Sequence, residues 1–375
     1  MVPDATESHL PEAVRDLYAH RCVLITGAGG SIGSELSRQI ARLGASRLLL
    51  LDRDENSIFE IHRELADQEH TNRIVPLVGD IGDRVLLRHV FAEHRPDIVL
   101  HAAAHKHVAV MEANSSEAVL NNVIGTRNLA ETAMQFAAER FLMVSSDKAV
   151  CPASVMGATK RVAELLLQTF GTFSRETRFC SVRFGNVIGT RGSVIPIFLR
   201  QIRERKPITI TDARMTRYFM SLAQAVHLVL QASVLGRDGE IYALKMNAPI
   251  RITELAERLI RMSGLRPHSD IPVHFVGIRP GEKLHEQLWH EDSNISNTEF
   301  AAVYRITEAD LPGGLAESQI HILERLASER RDSEVVEYLR SLPIDYGSEH
   351  RAPVPQVSHT GEIKTASAGL VVVRE

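Results

Sequence analysis

This sequence predicts a doubly wound α/β fold: a parallel sheet covered on both faces, with a smaller C-terminal lobe. Three observations carry the prediction. Short apolar runs recur through the first half, helix-length polar segments separate them, and a glycine-rich turn follows the first run. Uninterrupted apolar runs suit strands buried on both faces, and a parallel sheet needs a crossover helix between one strand and the next.

The elements follow in order. Residues 1–20 are polar and predict a short lead-in helix. Arg21–Thr26 predicts the first strand, Gly27–Gly33 a turn, and Ser34–Leu43 a helix closed by Gly44. Arg47–Asp52 is the second strand and Ile58–Gln68 the next helix. Ile74–Val78 is the third strand, Val85–His94 a helix, and Asp97–His101 the fourth strand. One long helix is predicted over Glu117–Glu139, then a fifth strand over Arg140–Ser145. Ala158–Phe170 predicts a helix and Phe179–Phe184 a sixth strand. After Gly185 the elements shorten and prolines appear at 196, 207, 249, 267, 272 and 280. The expected division is a lead-in over 1–20, a dinucleotide-binding domain over 21–185 and a substrate lobe over 186–345, with a strand near 240–245 returning to the sheet. Residues 346–375 read as a loose tail.

The formal net charge of −4 gives no basic excess for nucleic-acid binding, so anionic ligands must be held by helix N-termini and single Arg or Lys residues. Cys22, Cys151 and Cys180 lack the spacing of a zinc site or disulfide framework and fit a reducing cytoplasm. No apolar run approaches 18 residues, so no membrane span is expected in this chain. Its start carries no signal-peptide pattern.

The turn from Gly27 to Gly33, with Gly30, Ser31 and Ile32 opening the next helix, has the layout of a dinucleotide site. Its glycines let the backbone approach a pyrophosphate, and the helix aims N–H groups and its positive end at that anion. Asp52 ends the second strand, where a carboxylate accepts hydrogen bonds from an adenosine ribose. Its charge repels a 2′-phosphate, which favours NAD over NADP, although the neighbouring Arg53 pulls the other way. Asp80 and Ile81 follow the third strand and are placed to meet the adenine, and Ala102, Ala103 and Ala104 are small enough to let the cofactor pass.

Ligands of open parallel sheets bind at the carboxyl ends of strands. Ser146, Asp147 and Lys148 leave the fifth strand there, and offer an orienting hydroxyl, an acid and a base. Lys160 lies on the next helix. The alternative is a polar loop with a surface Asp–Lys pair.

With these segments the chain resembles the polysaccharide-biosynthesis 4,6-dehydratases, a branch of the extended short-chain dehydrogenase/reductases. The resemblance runs from about residue 20 to 310. It is carried by TGAGGSIGSEL (26–36), LDRDE (51–55), GDI (79–81), HAAAHKHV (101–108), NNVIGT (121–126), SSDKAV (145–150), MGATK (156–160), RFGNV (183–187), GSVIP (192–196) and RPGEKLHE (279–286). Most short-chain dehydrogenases place a Tyr four residues before the Lys; here Met156 stands four before Lys160. That departure matches the C5-retaining subgroup, whose larger members are often membrane-anchored.

The resemblance implies 4,6-dehydration of UDP-N-acetylglucosamine. Hydride leaves C4 for NAD, a base takes the acidified C5 proton, water leaves from C6, and the hydride returns to C6. It implies that Lys148 is the C5 base, favoured in neutral form by burial and by Lys160, and that Asp147 protonates the departing hydroxyl. Ser146 then bonds O4 and Lys160 holds the nicotinamide ribose. Lys106, Glu112 and Met156 are expected beside the sugar, and Asn186, Arg217, Arg279 and Glu282 are expected to face UDP. His101, His105 and His107 have no recognised ligand spacing, and this chemistry needs no metal. A homo-oligomer is expected, by analogy through the helices at 117–139 and 158–170. The competing readings are a sugar-nucleotide 4-epimerase, which needs a proton acceptor at position 156, and a silent NAD-binding sensor.

Overall fold

The computed structural model describes residues 10–66, 73–308 and 314–347. The first nine residues of the lead-in, the end of the helix expected to reach Gln68 and the tail beyond 347 lie outside these residues.

The chain opens with α1 (Glu12–Tyr18), β1 (Cys22–Thr26), α2 (Ser31–Arg42), β2 (Arg47–Asp52), α3 (Glu55–Leu65), β3 (Ile74–Val78), α4 (Arg84–His94) and β4 (Ile98–His101). It continues through α5 (Val108–Glu112), α6 (Ser115–Val119), a π-helical segment (Leu120–Gly125), α7 (Thr126–Gln135), β5 (Arg140–Val144), a 3₁₀ turn (Asp147–Ala149), α8 (Val155–Phe173) and β6 (Arg178–Arg183). Then come β7 (Asn186–Val187), α9 (Val194–Arg203), β8 (Ile208–Ile210), β9 (Thr216–Arg217), β10 (Phe219–Met220), α10 (Leu222–Leu235), β11 (Glu240–Leu244), β12 (Ile250–Arg251) and α11 (Ile252–Met262). The last elements are β13 (Val273–Phe275), β14 (Asn294–Asn297), β15 (Val303–Thr307), α12 (Glu317–Ser328) and α13 (Asp332–Ser341).

Among the described residues the main sheet runs β14-β15-β11-β6-β5-β4-β1-β2-β3. From β3 to β11 every pairing is parallel, and β15 and β14 add antiparallel strands at one edge. The order reverses between β1 and β4, which is where ligands of doubly wound sheets bind. Alternation along each strand feeds two cores. Val23, Ile25, Leu48 and Leu50 join the core beneath α1, α2, α3 and α10. Cys22, Leu24, Leu49 and Leu51 face the opposite core, beneath α4, α7 and α8. A separate core binds α9 and α11 to β8 and carries the smaller lobe.

The return strand expected near 240–245 is β11, parallel to β6. The helix expected over Glu117–Glu139 differs. It begins as α6, widens into the π segment and ends as α7 at Gln135, where Ala137 takes a left-handed backbone, φ 55°. No glycine marks that stop, so composition alone runs the helix on. The π segment holds Asn122, whose side chain accepts from the His105 N–H (2.8 Å) and donates to its carbonyl (3.1 Å). Widened turns of this kind recur at functional sites.

The second half does more than form a lobe. Helices α12 and α13 pack Leu323, Leu326, Val335 and Leu339 against α6 and α8 (Val119, Val162, Leu165, Leu166). Asp332 caps α6, accepting from Ser116 N–H (2.7 Å) and the Ser115 hydroxyl (2.9 Å). Part of the surface of α6 and α8 is therefore covered by the chain's own later helices.

Candidate active site

At the switch point, Gly27 has φ +68°, and a Cβ there would lie 2.7 Å from the Ala102 carbonyl carbon. A Cβ on Gly33 would lie 2.0 Å from the Gly27 oxygen. Only hydrogen fits at either place, so the turn lies flat under β4 and α2 points its N-terminus over it. A cavity of about 150 Å³ opens here, lined by Gly27, Gly30, Asp52, Arg53, Asp80, Ile81 and Ala102–Ala104. Asn121, from the π segment, also lines it and was not anticipated. Asp52 accepts from Gly29 N–H (3.0 Å) and Asp54 N–H (3.1 Å), which fixes its carboxylate at the end of β2. Arg53, half exposed, lies 3.9 Å from Glu117. The Ser31 hydroxyl accepts from Arg191 N–H (3.1 Å), so the loop after β7 is tied to the turn.

A larger cleft of about 420 Å³ adjoins it, lined among others by Ile32, Lys106, Ser146, Asp147, Lys148, Met156, Lys160, Asn186, Arg217, Glu282 and Glu286. Main-sheet strand ends and the smaller lobe thus share one cleft. The 3₁₀ turn after β5 holds the reactive groups. Ser146 donates to Asp147 Oδ1 (2.8 Å) and accepts from Lys148 N–H (3.2 Å). Lys148 Nζ donates to the same Oδ1 at 2.9 Å. Asp147 is 1 % exposed, and its Oδ2 has no hydrogen-bond partner among the described residues. Burial pushes Asp147 above the usual carboxylate range; Lys148 opposes the rise and Glu286 adds to it. For Lys148, burial favours the neutral amine, but the carboxylates of Asp147 and Glu286 outweigh it and hold the ammonium above the ordinary lysine range. This corrects the expectation that its surroundings favour a neutral amine.

Met156 is buried and faces the same cleft. Lys160 donates to the Val144 carbonyl (2.7 Å), and burial lowers it to about 8. Lys106 is also lowered by burial. His101 sits between the hydroxyls of Thr26 (2.7 Å) and Thr126 (2.9 Å) and is lowered by burial to about 3, so it serves as a neutral linker. Among the described residues no group of three His, Cys, Asp or Glu side chains is placed to hold a metal.

Of the expected ligand contacts, Glu112 and Arg279 lie outside the cleft lining, while Arg217 is within it. Glu112 is outside the cleft lining and accepts from Val155 N–H at 2.6 Å; it serves the otherwise unpaired first turn of α8 instead of the sugar. Arg217 lines the cleft, but its terminal nitrogens donate to the carbonyls of Thr216 (2.7 Å), Leu284 (3.1 Å) and Lys283 (2.9 Å). The guanidinium is spent on the 279–286 loop. Arg279 is exposed and outside the lining; its N–H donates to Glu282 (3.3 Å). Glu286 had no assigned role, although it closes the RPGEKLHE segment; a second carboxylate four residues after Glu282 was the available signal.

The sequence profile of a family described as polysaccharide biosynthesis protein matches residues 23–308. The chain belongs to this polysaccharide biosynthesis family. Its relatives include the capsular polysaccharide biosynthesis protein CapD of Staphylococcus aureus, 45% identical over 80% of this chain and 50% of the relative. The chain thus spans about half the length of that protein. Another family relative is the UDP-N-acetylglucosamine 4,6-dehydratase (inverting) of Campylobacter jejuni, 33% identical over 78% of this chain and 84% of that one. A third, 34% identical over 77% and 84%, is the UDP-glucose 4-epimerase of Rickettsia canadensis. Among the described residues of this family member, no helix is long and apolar enough to cross a membrane.

Proposed function

We propose that this chain catalyses the 4,6-dehydration of UDP-N-acetylglucosamine, with NAD bound and with retention at C5. The observation that carries the reading is the pair of buried Asp147 and half-buried Lys148, 2.9 Å apart, in one cleft with Met156. The adenosine and pyrophosphate end of the dinucleotide suits the first cavity. Gly27 and Gly33 leave room for its pyrophosphate, α2 supplies N–H groups, and Asp52 stands ready for the ribose. When bound, NAD⁺ accepts the hydride from C4 of the sugar and returns it to C6.

The protein's own groups move the protons. Lys148 gives its ammonium proton to solvent when sugar occupies the cleft, then takes the C5 proton and later delivers a solvent-exchanged proton to the same face. Asp147, as carboxylate, takes the O4 proton and passes it to the departing C6 hydroxyl, which leaves as water. Ser146 holds the shared Asp147 oxygen, and Lys160, in the same cleft, would hold the nicotinamide ribose. Lys106, Asn186 and Glu282 line the sugar-nucleotide side. Residues 21–185 would thus serve NAD, and the lobe after 186 the UDP sugar. The three unpaired thiols suit a reducing cytoplasm.

Incubation with UDP-N-acetylglucosamine, followed by NMR of the product, tests the reading. The expected product is the 4-keto-6-deoxy sugar, formed without added NAD and without lasting NADH absorbance. Stoichiometric NADH release would show a simple dehydrogenase, and C4-inverted sugar an epimerase.

Met156 gives a sharper test. As a packing residue beside the sugar, it should tolerate Met156→Leu at a cost of at most about tenfold in rate. Met156→Tyr should bring no gain, because it adds bulk where Asp147 already moves the proton. In D₂O the product should carry deuterium at C5 with the original configuration. A tyrosine variant much faster than the parent, or a C5-inverted product, would overturn the retaining assignment.

A further inference from the structure

One buried carboxylate in the cleft has no part in the chemistry above. Glu286 is 6 % exposed, and its Oε2 has no hydrogen-bond partner among the described residues. Its Oε1 lies 3.6 Å from Lys148 Nζ and 3.6 Å from Arg217. Lys148 is therefore held between two carboxylates on different parts of the chain: Asp147 on its own turn, and Glu286 on the loop from the smaller lobe. That loop is anchored. Arg217 donates to the Leu284 and Lys283 carbonyls, Thr216 N–H to the Leu284 carbonyl (3.0 Å), and Lys283 Nζ to the Val150 carbonyl (2.6 Å). The cost of burying an anion is met only by nearby cations, and here these are Lys148, Arg217 and Lys283.

We propose that Glu286 is the counter-ion of the catalytic lysine, a positioning residue that raises the basicity of Lys148 and stabilises the ammonium formed when it takes a proton from carbon. The inference rests on the dehydratase reading for its catalytic consequence, but not for the pairing itself. A proton next to a ketone is weakly acidic, so a stronger amine removes it faster once unprotonated; that gain is read on the high-pH plateau, because at neutral pH the smaller unprotonated fraction outweighs it. Glu286 acts through Lys148, as the aspartate of a serine-protease triad acts through histidine. The charged groups facing Lys148 are Asp147, Glu286 and Arg217, with Lys283 beyond Glu286 and the Tyr218 phenol near Asp147. Of these only Glu286 is an anion from another segment, so its removal changes the field on Lys148 without touching the Asp147 bond.

The test is Glu286→Gln, which keeps shape and removes charge. The Lys148 midpoint is read directly by NMR of protein labelled with ¹³C at the lysine ε-carbon, assigned with Lys148→Arg. It should fall by about one pH unit or more, the scale for a unit charge at this distance in a partly screened site. In turnover, the rising limb of kcat/KM against pH should move to lower pH, while the plateau kcat drops about threefold for each unit by which the midpoint falls. Glu286→Asp should restore part of both. A lower plateau with an unmoved limb and an unmoved NMR midpoint would mark Glu286 as a loop anchor only and overturn the inference. If the parent forms no dehydrated product, the proposed reaction fails, while the NMR midpoint still decides the pairing.

Discussion

Asp147→Asn and Lys148→Ala are each expected to lower kcat by about 10²-fold or more, the scale of a lost acid–base group. The side chains share one hydrogen bond, 2.9 Å between Nζ and Oδ1, and with Ser146 they form one unit. The double variant should therefore be little slower than the worse single one, since groups acting as a unit are not additive. NAD binding should survive in all three, because Asp52, Asp80 and the glycine turn line a different cavity. Steady-state kinetics with UDP-N-acetylglucosamine and a fluorescence titration with NAD decide the matter. Near-native turnover in both single variants would remove the pair from the mechanism. Loss of NAD binding would point instead to a collapsed site.

The largest stability effect is expected at Arg183. It is fully buried, and its guanidinium grips Glu164 with Nε (2.8 Å) and a terminal nitrogen (2.6 Å) while the other terminal nitrogen reaches Glu308 (2.6 Å). Arg183→Met strands Glu164, itself 0 % exposed, with only Arg161 and Ser145 as partners. Breaking a buried pair on one side costs about 3–5 kcal/mol, measurable as a lower denaturant midpoint. Adding Glu164→Gln should recover part of the loss, because the uncompensated charge goes with it. Ser145, which donates to Glu164 (2.6 Å), directly precedes the catalytic turn, so Arg183→Met should also reduce turnover.

The same network sets an acid limit. Burial alone would raise Glu164, but the Arg183 charge and hydrogen bonds hold it at about 2, well below its ordinary 4.5. Its contribution is complete above the unfolded-state value and is lost as pH falls from about 4.5 toward 2. The stability difference between parent and Arg183→Met should shrink across that interval.

Most of the sheet was legible because its central strands, β1, β4 and β11 among them, are buried on both faces. Arg47–Asp52 and Ile74–Val78 were read with the bounds the structure gives, the second although β3 is a half-exposed edge strand, and the strand expected near 240–245 is Glu240–Leu244. A doubly covered strand has to be apolar without interruption, and that run survives in one dimension. The turn from Gly27 to Gly33 was legible for a related reason: close approach of backbone to backbone excludes every side chain, and only glycine satisfies it. Errors fell where a distant partner sets the outcome. The end of α7 at Gln135 follows from a left-handed Ala137, which no residue type announced. The cap of α6 comes from Asp332, more than two hundred positions away.

The candidate site divides in the same way. By itself the sequence determined the sheet, the dinucleotide turn, the Ser146-Asp147-Lys148 segment and the Met at 156, because each is written in contiguous residues whose types the chemistry restricts. The tertiary structure alone decided which charges meet. It turned Arg217 onto the carbonyls of the 279–286 loop, gave Glu112 to the first turn of α8, covered part of α6 and α8 with α12 and α13, and set Glu286 against Lys148. Spacing along a chain fixes neighbours on one helix or strand. The protonation of Lys148 depends instead on burial and on a carboxylate more than a hundred residues distant, and both arise only when the lobe folds back over the sheet.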